Sequence, residues 1–202
     1  MPFDPFERRT AYIAALPGTN IDTDVIMPKT FLKGIDRSGL DRGLFHDLRF
    51  DESENPRPDF VLNRSPWNEA SFLVTGANFG CGSSREHAVW GLRQFGISAI
   101  VAPSFAGIFF DNCARNGLLA VEASDRQVEM LIEHAQTGAG EVTVDLETQT
   151  IATPERSFHF DIDGRRKTML LNGLDAVGMT LQWREEIEAF QSGYLTERGW
   201  LA

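Results

Sequence analysis

The sequence predicts an α/β domain built on a central β-α-β-α-β unit, with strands of mixed direction beyond it. Three observations point there. Short apolar runs at 71–75, 98–102 and 118–121 alternate with two helical patterns, and each helical pattern stops at a glycine, Gly96 or Gly117. That order demands a parallel sheet with crossover helices. Farther along, Val142, Val144 and Leu146 alternate with polar residues, as do Phe158, Phe160 and Ile162, which is the period-2 signature of half-buried strands. The 202 residues suit one domain, spanning 1–202, and such a chain buries about 70% of its unfolded surface without a disulfide or metal staple.

The elements follow in order. Ala11 to Leu16 is an apolar run within an Arg9–Leu16 strand that Pro17-Gly18 terminates. The acidic stretch Asn20 to Pro28 follows, and residues 29–58, rich in glycine and charge, read as loop with short helical turns. Ser71–Thr75 is the first strand of the central unit. Ser84–Phe95 is its first helix, with Ala88, Leu92 and Phe95 on one face. Ser98–Ala102 and Leu118–Val121 are strands flanking a helix over Phe105–Asn116. Ser124 with Gln127 opens a third long helix whose stripe is Val128, Leu131, Ile132 and Ala135 and whose stop is Gly138. The two alternating strands that follow are expected to pair as a hairpin. An amphipathic helix over about Thr180–Gln191, carrying Leu181, Ile187 and Phe190, is the last element.

Composition narrows the function. With 19 Lys+Arg against 29 Asp+Glu the net charge is -10, which argues against a general nucleic-acid binder but leaves room for an anionic small substrate held by a few local cations. Cys81 and Cys113 are too few for a four-cysteine metal or iron–sulfur site and read as free thiols of a reducing compartment. No apolar run approaches a membrane span, and the N-terminus lacks a signal-peptide stretch, so the expected location is the cytoplasm. His46, His87, His134 and His159 show no metal-ligand spacing.

The most informative stretch is Gly76 to His87, lying between a buried strand and a helix start. Its glycines let the backbone approach a ligand, and the helix start offers unpaired N–H groups that favour an anion. Two hydroxyls, Ser83 and Ser84, and the Arg85 guanidinium stand at that mouth. The serines have an equally good structural reading: Ser83 with Glu86 matches a capping box, and Ser84 alone suits an N-cap. The loop is neither a phosphate-binding GxxxxGK[ST] nor a GxGxxG, since Arg85 stands at the third glycine, and it lacks the GxSxG elbow of serine hydrolases. An enzyme subunit and a non-catalytic anion-binding module are both open on these grounds.

The run GANFGCGSSREHAVWGLRQFGISAIVAPSFAGIFFDNCARNGLL resembles the swivel domain of the aconitase superfamily, and within it the small subunits of 3-isopropylmalate dehydratase. The likeness extends to Asn20-Ile21-Asp22-Thr23-Asp24 with Ile26 and Pro28, to Phe31-Leu32-Lys33, and to Leu171-Asn172-Gly173-Leu174-Asp175, so it covers nearly the whole chain. It implies a three-layer β/β/α swivelling domain. It implies a large-subunit partner carrying a 4Fe–4S cluster on three cysteines, no cofactor on this chain, and a packing role for Cys81. The implied reaction dehydrates 2-isopropylmalate to 2-isopropylmaleate and rehydrates it to 3-isopropylmalate, in leucine biosynthesis. The chain alone is expected to be inactive.

By the same resemblance Ser83 is the base and Asp24 a second catalytic residue. Ser84, Arg85, Thr23 and Lys33 bind the dicarboxylate substrate, and Phe31, Leu32 and Gly34 belong to the loop that sets specificity. Aconitases carry an arginine shortly after the segment matching Phe31-Leu32-Lys33; here Gly34 and Ile35 follow, and the next arginine is Arg37. A less polar loop suits an isopropyl group better than a third carboxylate. Small subunits acting on 2-methylmalate or homoaconitate are the alternatives within the family. An apolar patch for the partner is expected near Phe79, Phe105 and Phe109–Phe110.

Overall fold

The central unit forms because its strands are apolar on both faces. In the computed structural model, which describes residues 3–32, 38–83, 85–137 and 140–201, the chain opens with strand β1 (Arg8–Leu16). A short helix α1 (Thr23–Ile26) follows, then a 3-10 turn over Lys29–Leu32 and the short helix α2 (His46–Arg49). The parallel unit is β2 (Phe72–Thr75), α3 (Glu86–Phe95), β3 (Ala99–Ala102), α4 (Gly107–Arg115) and β4 (Leu119–Glu122). Next come α5 (Asp125–Gln136), then β5 (Glu141–Asp145), β6 (Thr150–Ala152) and β7 (Ser157–His159). Helices α6 (Gly164–Asn172), α7 (Ala176–Leu181) and α8 (Arg184–Glu197) complete the chain. No helix among the described residues is long and apolar enough to cross a membrane.

The seven strands lie in the order β4-β3-β2-β1-β5-β6-β7. Strand β1 joins two kinds of sheet: Ile13–Leu16 run parallel to Phe72–Thr75, while Arg8–Tyr12 run antiparallel to 141–145. The expected parallel β2, β3, β4 neighbours are present in register, Phe72 opposite Ala99 and Ala99 opposite Leu119. Their side chains alternate between two cores. Leu73, Ile100 and Ala120 pack with Ala88, Leu92, Phe109 and Cys113 of α3 and α4 on one face. Phe72, Val101 and Leu119 pack with Val128 and Leu131 of α5 and with Val142 and Val144 on the other. A strand covered on both faces reads as a continuous apolar run, which is why the sequence displayed it so plainly.

Four expectations are corrected. Helix α3 starts at Glu86, with Arg85 as an extended N-cap that makes no side-chain cap bond, in place of the serine cap expected; Ser84 lies outside the described residues. The alternating strands do not pair directly: β6 lies between β5 and β7, giving a three-stranded antiparallel meander. The final amphipathic segment is two helices, α7 and α8, and its apolar side chains Leu181, Ile187 and Phe190 face solvent. Phe79, Phe105 and Phe109 are buried, their rings meeting at 5.3–6.4 Å, so the patch expected there is core. Helix α6 had no counterpart in the periodicity reading. Gly138, the expected stop of α5, lies outside the described residues; α5 ends at Gln136.

At Ser124 the expected capping interaction forms, with Gln127 Oε1 accepting from the Ser124 N–H at 2.8 Å.

Candidate active site

The glycine loop is held in shape by two segments that cross it. From one side, the Asn20 N–H donates to the Ala77 carbonyl at 2.9 Å, Gly80 N–H to Ile21 O at 2.8 Å, and Thr23 N–H to Cys81 O at 2.8 Å. From the other, the Asn78 N–H donates to Ser104 Oγ at 3.0 Å, and Ala106 N–H to Phe79 O at 3.0 Å. Asn20 and Asn78 sit at φ +54° and +59° and bond to each other through their side chains at 2.8 Å. Asparagine tolerates the left-handed region better than most residues.

Gly80 takes φ +75°, and a Cβ there would stand 2.2 Å from the Phe109 ring. Gly80→Ala therefore combines a left-handed penalty with overpacking. It is expected to destabilise the chain by about 2–4 kcal/mol, read as a lower midpoint in chemical denaturation. An unchanged midpoint means that the loop is free to shift away from Phe109.

Helix α1 places the acidic residue. Asp22 caps it, its carboxylate accepting from the Asp24 and Val25 N–H groups at 2.8 and 2.9 Å. That cap aims Asp24 at the far end of the loop, where its Oδ1 accepts from Arg85 Nη1 and its Oδ2 lies 3.7 Å from Lys29 Nζ. The Arg85 side chain is only 11% exposed and Asp24 44%, so the pair straddles the surface. A guanidinium carries five N–H donors, and those not given to Asp24 can grip a carboxylate.

Thr23 is 1% exposed and its hydroxyl donates to the Ser83 carbonyl at 2.7 Å. Thr23, expected on the substrate, thus stands behind the loop and positions Ser83. The Ser83 side chain is exposed and its hydroxyl makes no hydrogen bond among the described residues. The first turn of α3 is braced from the end of α4: Asn116 donates to Glu86 Oε1 at 3.3 Å and accepts from Trp90 Nε1 at 2.8 Å.

The fold therefore gathers Ser83, Arg85 and Asp24 at the end of the glycine loop, with Thr23 buried behind it. Phe31 and Leu32 sit in the 3-10 turn just beyond Lys29, half-buried, with the Phe31 ring 4.9 Å from that of His46. Ser84, Lys33 and Gly34 lie outside the described residues. Asp22, Asn20, Asn78, Lys29 and Asn116 were missed by the sequence reading. Only Asp22 had a local signal, an N-cap residue ahead of Thr-Asp-Val.

Among the described residues no three His, Cys, Asp or Glu side chains converge to hold a metal. Cys113 is buried and Cys81 half-buried, both unpaired. These residues do not fit an iron–sulfur cluster. Burial pushes the Cys113 thiol well above its ordinary range, against the opposing charge of Arg166. One thiol, Cys81, is expected to react with an aromatic disulfide reagent in the native protein, and the second only after unfolding. Equal rates for both would contradict the burial of Cys113.

Comparison with known proteins identifies the family. The aconitase C-terminal domain model matches residues 4–126, and a LeuD_N model residues 129–164. The small subunit 1 of 3-isopropylmalate dehydratase from Mannheimia succiniciproducens is 51% identical over 98% of both chains. A small subunit 2 from Salmonella typhimurium is 48% identical, covering 98% of this chain and 96% of its own. The crystal structure of 3-isopropylmalate dehydratase (leuD) from Methanocaldococcus jannaschii superposes with a TM-score of 0.66 at 25% identity, covering 91% of this chain and 99% of the other. Nearly end-to-end likeness at about half identity, on the aconitase-type α/β fold, settles the family: the chain belongs to the 3-isopropylmalate dehydratase small subunits.

Proposed function

We propose that this chain is the small subunit of a cytoplasmic 3-isopropylmalate dehydratase, a hydro-lyase of leucine biosynthesis. Together with an iron–sulfur large subunit it isomerises 2-isopropylmalate to 3-isopropylmalate through 2-isopropylmaleate. The observation that carries the reading is the juxtaposition, at the end of the glycine loop, of the Arg85–Asp24 pair and the exposed, uncommitted Ser83 hydroxyl. The two unpaired thiols accord with a reducing compartment.

The substrate carries two carboxylates, a hydroxyl and an isopropyl group, and each needs a counterpart. Arg85 takes one carboxylate through its guanidinium fork, with Ser84 beside it. Asp24 holds the fork in orientation, and Lys29, 3.7 Å from Asp24, adds positive charge to the same edge. Ser83 Oγ removes the proton from the carbon next to a carboxylate and returns one to the neighbouring carbon on rehydration. A serine hydroxyl is a weak base, so its alkoxide needs stabilisation. The first-turn N–H groups of α3 and the Arg85 charge are the local sources. Thr23 fixes where Ser83 stands by holding its carbonyl. Phe31 and Leu32 present an apolar edge toward the isopropyl group, Gly34 belongs to the same specificity loop, and Lys33 is assigned to a substrate carboxylate. Departure of the hydroxyl falls to the partner, which holds the cluster.

The test is turnover of 2-isopropylmalate by this chain alone, by an iron-loaded large subunit alone and by the mixture, with citramalate and homocitrate in parallel. Activity in the mixture only, strongest with 2-isopropylmalate, is expected. Preference for another acid would keep the mechanism and move the substrate. Inactivity with every acid, alongside tight phosphate binding by the chain alone, would replace the enzyme by an anion-binding module.

A further inference from the structure

From α7 onward the chain turns its apolar side chains to solvent. No residue of α7, α8 or the final turn is buried. Trp183, Ile187, Phe190 and Tyr194 follow one another at intervals of four, three and four, so they form a single stripe along α8. Helix α8 is 14 residues long with Gly193 inside it. A free helix of that length is marginal in water, and an interior glycine weakens it further. Its order calls for a surface that this chain does not supply.

The apolar surface exposed by α7, α8 and the final turn together is large. Trp183, Phe190 and Trp200 are 63%, 73% and 78% exposed. At roughly 150–250 Å² per aromatic side chain they leave on the order of 400 Å² uncovered. Leu181, Ile187 and Tyr194 carry the total toward the ~800 Å² that one side of a stable interface contributes. Monomers seldom expose apolar patches of that size.

Charge and position decide what covers it. A second copy would bring another net charge of -10, which opposes self-association. At 100° per residue, Glu186 flanks the stripe on one side and has no ion-pair partner among the described residues, whereas the arginines of the other side, Arg184 and Arg198, are held by Glu188 at 2.7 Å and by Glu197 at 3.4 Å, Arg198 also lying over the Tyr194 ring. The complement is an apolar groove with a basic residue along one rim. The helical arm also starts beside the first turn of α3. One cleft is lined by Glu86 and Asn116, at the first turn of α3 and its brace, and by Asp175, Ala176 and Val177 at the root of α7.

We propose that the α7–α8 arm is the docking element for the subunit that closes the Ser83–Arg85 mouth. Its apolar stripe seats in a basic-rimmed groove of the large subunit. The inference rests on the functional reading above and names the surface by which that partner is held.

The experiment measures association of the full chain with the iron-loaded large subunit for wild type, for Ile187→Ala/Phe190→Ala/Tyr194→Ala and for Glu186→Lys. Alanine keeps the helix favourable, and none of these residues is buried, so the melting temperature of the triple variant alone should match wild type. Its affinity for the large subunit should fall at least tenfold, with kcat restored at saturating partner. Glu186→Lys should weaken association and flatten its dependence on salt. Wild-type affinity in the triple variant would overturn the proposal. So would a dimer of the chain alone that the triple variant dissolves. If the wild-type subunits bind but fail to turn over 2-isopropylmalate, the functional reading fails and the docking surface stands.

Discussion

Ser83→Ala is expected to lower kcat of the two-subunit enzyme by about two to four orders of magnitude, with KM nearly unchanged. The reason lies in what the substitution removes and what it keeps. The Ser83 hydroxyl makes no hydrogen bond among the described residues, and α3 is capped at Arg85, so alanine takes away no structural bond. The Thr23 hydroxyl donates to the Ser83 backbone carbonyl at 2.7 Å, and alanine retains that carbonyl. Folding and subunit association should therefore match wild type, and the loss should fall on proton transfer alone. Assembled Ser83→Ala enzyme with normal turnover would remove Ser83 from the chemistry and leave it as a surface residue.

Arg85→Lys is expected to reduce kcat/KM by roughly ten- to 150-fold, the worth of a charge-assisted bond of about 1.5–3 kcal/mol. Charge is conserved; geometry is not. A guanidinium presents parallel donors to Asp24 and a substrate carboxylate at once, whereas an ammonium is a point charge that must choose between them. At 11% exposure water cannot make up the missing donors. The change should appear first as a higher KM for 2-isopropylmalate, while the melting temperature stays within a few degrees. Wild-type kinetics in Arg85→Lys would show that Arg85 serves Asp24 only.

Much of this was legible in the residues. Strands β2, β3 and β4 carry apolar side chains on both faces, and Gly96 and Gly117 punctuate the helices between them, so local patterns sufficed. The candidate site was legible as a loop with Ser83 and Arg85 at its end, and by resemblance as the place where Asp24 belongs. The serines illustrate the limit. Ser83 with Glu86 satisfies a capping box locally, yet Thr23 draws the Ser83 carbonyl and Asp24 draws the Arg85 side chain, so the loop runs on to Arg85 before α3 begins.

Strand β6 was missed because three residues, Thr150–Ala152, are too few to show a period; its place is fixed by pairing with both neighbours. Of the stripe on α8 only Ile187 and Phe190 were anticipated, and on a single helix; a periodic pattern says only that one face is apolar, never what covers it.

By itself, then, the sequence determined the parallel unit, the glycine loop and the family, since each is written in neighbouring residues. The tertiary structure alone decided that Thr23 holds Ser83, that Asp24 with Lys29 faces Arg85, and that the last helices stand uncovered. The partners that shape the loop lie 58 to 61 residues apart in the chain. Contacts over such separations come from packing β1 beside β2, and no local pattern of residues encodes them.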